Sequence, residues 1–133
     1  NLMCLVLLCR EVDGLLNDIK GQVRQAEVRT GHHCFTSRGE MPATGDLLQL
    51  SAAMSGCMSN LAVLTRRLGV VEELKRWTVE VTTEIQGNTE HTPAGVTSIL
   101  DTVRQHSVMQ QLDVEFFKRR AQTQQDAVSF HNF

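Results

Sequence analysis

One apolar stripe constrains the fold of this 133-residue chain more than any other feature. Its positions advance in alternating steps of three and four: Leu47, Leu50, Met54, Cys57, Leu61, Leu64, Leu68 and Val71. A further three-residue step locally overwinds a coiled coil without ending it. The alternation then continues at Leu74, Thr78, Val81 and Ile85. This is the a and d rhythm of a helix that packs lengthwise against other helices, so we expect a long helix within a helical bundle.

A second predicted helix precedes this stripe, and a third follows it. The first helix covers about residues 2–30, and Gly31 suits a left-handed C-terminal cap. Its apolar positions are Leu5, Leu8, Val12, Leu15, Ile19, Val23 and Ala26. The last helix starts at Thr92-Pro93, because proline is pre-organised for the first helical position. Its predicted inner face consists of Val96, Ile99, Val103, Met109, Leu112 and Phe116, thinning beyond Arg120 to Thr123, Ala127 and Phe130.

These patterns predict an all-α fold with one helical domain over residues 1–133. We expect an elongated antiparallel three-helix bundle or coiled coil, with helices at about 2–30, 45–86 and 93–130. A middle helix of about 42 residues would be on the order of 60 Å long and needs neighbours of similar length. The chain begins with Asn1 and approaches Phe133 without a Gly or Pro stop. We therefore expect a fragment of a longer polypeptide whose third helix is under-packed at its distal end.

Composition narrows the classes of function. A net charge of −2 gives no electrostatic case for nucleic-acid binding. Cys4, Cys9, Cys34 and Cys57 lack zinc or disulfide spacing, so we expect reduced, small core residues in a cytosolic setting. Gly14 and Gly21 share one helix face. They either let another helix approach closely or are simply exposed.

Few residues suggest chemistry. His32, His33 and Cys34 are candidate metal ligands in a loop, but adjacent histidines rarely converge, and a solvated polar loop is the alternative. His91 lies in the other predicted loop. His106 falls on the predicted inner face of the third helix, where a buried, hydrogen-bonded histidine is the default interpretation. No catalytic motif is present, so we expect neither an enzyme nor a cofactor.

Charged groups indicate solvated faces. Glu72-Glu73 with Lys75-Arg76 is expected to face outward, with Glu72 and Arg76 forming an i, i+4 pair. Two short basic groups, Arg66-Arg67 and residues 118–120, suit an anion or anionic lipid better than nucleic acid.

Two segments together carry a family resemblance. Residues 35–77 contain Arg-Gly-Glu-Met-Pro, then Leu-Leu-Gln-Leu-Ser, then Arg-Arg-Leu, and residues 117–128 contain Arg-Ala-Gln-Thr-Gln. This arrangement resembles the helical region that precedes the membrane segments of fungal CorA-like proteins, which are related to magnesium and zinc transporters. The resemblance implies a cytosolic juxtamembrane bundle whose third helix continues towards two transmembrane helices. The family's Gly-Met-Asn pore signature does not occur here, so no ion-binding residue is carried over.

Two functional hypotheses follow. The first is a structural or regulatory juxtamembrane bundle of a CorA-like divalent metal ion transporter-like membrane protein, with this region cytoplasmic and the membrane reached through downstream segments. The second is a soluble helical protein–protein interaction module without a membrane connection. In both, the expected partners are helices of other proteins or of a second copy. A metal sensor built on His32, His33 and Cys34 is a third option.

Overall fold

A computed structural model describes residues 2–31, 44–87 and 94–131. These residues form three helices, α1 (Leu2–Thr30), α2 (Thr44–Gln86) and α3 (Ala94–His131). The all-α prediction is confirmed over the described ranges, and each helix begins and ends within one residue of its predicted position. The 43 residues of α2 correspond to a rod of about 65 Å. Each helix contacts both others, so the described residues form a helical bundle.

The helix ends have local causes. Gly31 follows α1 with φ of 66°, the left-handed conformation predicted for a C-terminal cap. Asp46 lies in the first turn of α2, where a carboxylate interacts favourably with the helix dipole. At the other end of α2, the Gly87 amide donates a hydrogen bond to the Thr83 carbonyl at 3.0 Å.

The stripe of α2 forms the centre of the hydrophobic core. All eight positions from Leu47 to Val71 are at most 5% exposed. Beyond Val71 the burial is incomplete, because Thr78 is buried but Leu74 and Val81 are only partly buried and Ile85 is exposed. The stripe therefore predicts the core along most of α2 and fails in its last two turns.

The inner face of α1 agrees with its predicted stripe except at two positions, where the next residue along the chain is buried instead. Cys9 and Leu16 are buried, whereas Leu8 and Leu15 are only partly buried. Cys9 packs with Leu5, Val71 and Val103 in a smaller apolar cluster beside the main core. Cys57 is also buried, but Cys4 is exposed, so the expectation that the cysteines are core residues is wrong for Cys4.

The predicted inner face of α3 is wrong. Met109, Leu112 and Phe116 are all more than half exposed, and Ile99 is also exposed. Of the predicted set, only Val103 is fully buried. The buried face advances in steps of four and three through Val103, Ser107, Gln110, Val114, Phe117, Ala121, Gln124 and Val128. Three of these residues are polar, so a search for apolar periodicity selects the opposite side of the helix.

The expectation of an under-packed distal α3 is also wrong as far as Val128. Ala121, Gln124 and Val128 are each at most 1% exposed. The Thr30 hydroxyl of α1 donates a hydrogen bond to Gln124 Oε1 at 2.5 Å and ties this end of α3 to the end of α1. Phe130, in contrast, is exposed.

Two ion pairs and one histidine–carboxylate hydrogen bond set the register between α1 and α3. His106 Nε2 lies 2.7 Å from Asp13 Oδ2, and Lys20 Nζ lies 2.8 Å from Asp113 Oδ2. Arg120 binds Glu27 at the next heptad. Residue numbers rise by seven on both helices from one contact to the next, and the sign of the charge reverses on each helix between the Lys20–Asp113 and Glu27–Arg120 pairs. Such a ladder favours one alignment because a shift of one heptad brings like charges together.

Polar contacts also join α2 to each of its neighbours. On α1, Glu11 pairs with Arg67, whereas Gln22 accepts a hydrogen bond from Cys57 further back along α2. On α3, Ser107 bonds Glu72, and Gln125 bonds Ser55.

Gly14 and Gly21 do not mark a close helix contact. Both are exposed, and a Cβ atom added at either position would meet nothing within 4 Å. Of the two interpretations, exposed glycines fit the described bundle.

Candidate interaction surface

The outer face of α3 carries an exposed apolar stripe. Met109 and Leu112 are each 59% exposed, and Phe116 is 55% exposed. The three residues advance by three and four and therefore share one side of the helix. We call Met109, Leu112 and Phe116 the outer stripe. Single exposed apolar residues are common, but a contiguous row of large ones marks a candidate site of association.

The Phe116 ring is held in place by a fixed guanidinium group. Arg120 lies 5.2 Å from the centroid of Phe116 and 4.8 Å from that of Phe117. Its Nε and Nη2 atoms donate hydrogen bonds of 2.6 and 2.5 Å to the Glu27 carboxylate, which is buried. A bidentate pair restricts the arginine, and the arginine restricts the rings through cation–π contact. Phe116 is thus an exposed aromatic group that contacts a guanidinium held by a buried carboxylate.

The two flanks of the outer stripe differ in their charges. On the α1 side, the His106, Asp113 and Arg120 side chains all pair with α1. On the α2 side lie exposed charged residues that form no ion pair with the described part of the chain, among them Asp101, Arg104, Glu115, Lys118 and Arg119. The charges of the first flank are paired within the bundle, whereas those of the second are exposed to a partner, and Arg104 also helps to lower the pKa of Glu72.

Beneath the outer stripe, the inner face of α3 is held by polar contacts. Gln110 Nε2 donates hydrogen bonds to the Cys9 carbonyl at 2.9 Å and to Asp13 Oδ1 at 2.8 Å. Its Oε1 atom is buried without a hydrogen-bond partner among the described residues. Polar groups in a helical core cost stability but select one alignment of the helices. The contacts therefore fix which side of α3 faces outward.

A groove of about 580 Å³ separates α2 from α3 beside this surface. Its walls include Glu72, Val79, Arg104 and Val108. Burial raises the pKa of Glu72, but hydrogen bonds from Lys75 and Ser107 outweigh burial and lower the pKa below its ordinary value. Glu72 therefore stays ionised and ties the two helices together.

The charges of α2 pair differently from the prediction. Glu72 pairs with Lys75, and Glu73 pairs with Arg76, so both pairs span three residues rather than four. Glu72 also accepts the Ser107 hydroxyl at 2.6 Å, which makes it an interhelical contact and not only a solvated charge.

The sequence-predicted chemical residues do not form a site. His106 is exposed rather than buried in the core, and its partner is the Asp13 carboxylate. His32, His33, Cys34 and His91 lie outside the described residues. Within the described ranges, no three His, Cys, Asp or Glu side chains are grouped so that they could hold a metal ion.

The middle helix also passes a simple test for a membrane span. Residues Gly45–Gln86 are long and apolar enough by length and composition, with mean hydropathy of 1.4 in the best window. One third of that window is buried within the bundle, and core helices of soluble proteins pass the same test. The finding alone is weak evidence for a span.

Sequence reasoning found the residues of the outer stripe but assigned them to the core. The heptad-spaced charges of α1 and α3 were the signal that could have corrected it. Lys20 and Glu27 are opposite in sign to Asp113 and Arg120 at the same heptad spacing, and Asp13 meets His106 one heptad earlier.

Comparisons with protein-family models, curated proteins and solved structures returned no match for this chain.

Proposed function

We propose that this chain is a protein–protein interaction module that binds a helical partner through the outer stripe of α3. In this proposal the three helices form an elongated antiparallel coiled-coil bundle that displays α3 along its length. The alternating steps of α2 and the heptad-spaced ion pairs support this arrangement. Its maximum dimension, measured by small-angle X-ray scattering, should be at least about 65 Å.

The observation that carries the proposal is the half-exposed row of Met109, Leu112 and Phe116. Fully burying a side chain of this size contributes about 1.5–3 kcal/mol. Because each is more than half exposed, covering the row would contribute on the order of 3–4 kcal/mol. That is enough for a hot spot if the rest of the contact excludes water.

Leu112→Glu tests the proposal, with Leu48→Glu as its matched control. Both leucines are helical and about 60% exposed, but Leu48 lies on α2. Purified chain coupled to beads is exposed to an extract of the cells that express it, and retained proteins are quantified by mass spectrometry. We expect a specific set that Leu112→Glu loses and Leu48→Glu keeps. Identical retention by both variants and the original chain would rule out the outer stripe.

The second candidate is the juxtamembrane bundle of a CorA-like membrane protein related to divalent metal ion transporters. It is favoured by the exposed Lys118 and Arg119 on α3, since basic residues are enriched on the cytoplasmic side near membrane segments. The test is the coding sequence after Phe133. Two apolar stretches of about 20 residues within a few dozen positions are expected, and a polar continuation to the stop codon would remove this candidate.

A further inference from the structure

We propose that the partner of the outer stripe is a second copy of this chain, docked α3 against α3 in antiparallel orientation about a two-fold axis. This inference rests on the proposed function, because it names the occupant of the same surface. It follows from the order of four of the exposed charges on the α2 side of the stripe, Asp101, Arg104, Glu115 and Arg119.

Those charges alternate in sign along α3. Asp101 is negative, Arg104 positive, Glu115 negative and Arg119 positive, and all four are exposed. In an antiparallel pair of identical helices, the numbers of facing residues add to a constant. A two-fold axis near Gln110 places Arg104 opposite Glu115 of the second copy and Asp101 opposite Arg119. Symmetry repeats both contacts, which gives four attractive pairs.

The same axis aligns the apolar residues. With the axis between Gln110 and Gln111, Met109 lies opposite Leu112 of the second copy, and the reverse contact is identical. Phe116 then lies opposite Gln105, whose side chain is exposed. The charged contacts and the apolar contacts thus require two-fold axes that differ by no more than about one residue. Flanking residues of antiparallel helices can shift by this amount relative to the core residues, so one axis serves both sets of contacts.

The size of the contact sets the affinity. The overlap from Asp101 to Arg119 is about 27 Å long and about 12 Å wide. It would bury on the order of 400 Å² per copy, about half of the ~800 Å² per partner that stable interfaces bury. We therefore expect a weak, reversible dimer, half formed at about 100 µM.

Sedimentation velocity over about 1–500 µM chain measures the dimer. Leu112→Glu should weaken dimerisation at least ~10-fold, and Leu48→Glu should leave it unchanged. Circular dichroism of each variant shows whether the helices persist, so that a loss of dimer is not a loss of fold.

Charge reversal tests the orientation. Arg104→Glu and Glu115→Arg each place like charges together twice, and each should weaken the dimer several-fold. The double variant restores both contacts with the signs exchanged, and it should dimerise within about twofold of the original chain. Its matched control combines Asp101→Arg with Glu115→Arg, which places like charges together in all four contacts and should not recover.

Three outcomes overturn the inference: a monomer at every concentration, a dimer insensitive to Leu112→Glu, or a double reversal that fails to recover. If the chain is a monomer, the proposed function is still tested by the capture experiment, because that experiment detects a different protein bound to the same stripe. A capture experiment that fails while the dimer persists would instead narrow the function to self-association.

Discussion

Glu27→Gln is expected to destabilise the bundle by about 2–3 kcal/mol. The Glu27 side chain is 4% exposed and accepts two hydrogen bonds from Arg120. The change removes the negative charge and leaves one guanidinium N–H without a strong acceptor. Breaking a buried ion pair typically costs about 3–5 kcal/mol. Arg120 is one quarter exposed, so water partly solvates it and the expected loss lies at the lower end.

The assay is thermal and urea unfolding followed by circular dichroism at dilute, monomeric concentration. For a chain of this length a loss of 2–3 kcal/mol lowers Tm by about 10 °C. A double-mutant cycle with Arg120→Gln isolates the pair, and the coupling energy should be at least about 1.5 kcal/mol. The exposed pair of Glu11 and Arg67 serves as the control, where Glu11→Gln should cost less than about 0.5 kcal/mol.

A loss below about 1 kcal/mol for Glu27→Gln, equal to that of the exposed control, would refute this reasoning. It would mean that water reaches the carboxylate, and that the ladder of ion pairs does not anchor α3 to α1 at this point. The Phe116 ring would then contact an arginine that is not held in place by Glu27.

Three further predictions concern glycine, pH and thiol reactivity. Gly14→Ala and Gly21→Ala should each raise the urea-derived stability by up to about 1 kcal/mol, because both sites have open space, and a loss would reveal a hidden close contact. The lowered pKa of Glu72 means that its contribution is present above the ordinary value of 4.5 and is lost as pH falls through the folded-state pKa. The stability gap between the original chain and Glu72→Gln should therefore close in acid, and a gap independent of pH would contradict this. Cys4 is exposed and should react quickly with a thiol reagent. Cys57 is buried, and burial also raises the pKa of its thiol, so it should react only when the chain unfolds. Equal reaction rates of the two thiols, measured by peptide mapping, would contradict the burial of Cys57 in the core.

Periodicity predicted α1 and α2 well because their buried faces are almost wholly apolar. Every a and d position of α2 from Leu47 to Val71 is buried, so pattern and burial coincide. Helix ends were also predictable, since Gly31 and Asp46 act through local backbone geometry and charge. The last turns of α2 were not, because Ile85 extends past the neighbouring core.

The face of α3 could not be read from apolar spacing alone. Ser107, Gln110 and Gln124 occupy core positions, and each forms a hydrogen bond with another helix, although Gln110 does so only through Nε2. Met109, Leu112 and Phe116 have the same spacing as a core stripe but lie outside. The two faces can be distinguished only by knowing which residues of α1 and α3 contact each other. For His106 that contact is with the Asp13 carboxylate, 93 positions away in the sequence.

Methionine oxidation tests the orientation of α3 most directly. Met109 is 59% exposed on the outer stripe, Met54 is fully buried in the core, and Met3 provides an exposed reference on α1. Dilute chain, below about 1 µM to avoid dimers, is treated with mild peroxide, and the sulfoxide at each site is followed by mass spectrometry. We expect Met109 to oxidise nearly as fast as Met3 while Met54 stays protected. If Met109 were as protected as Met54, the outer stripe would lie in the core and the orientation of α3 described above would be wrong.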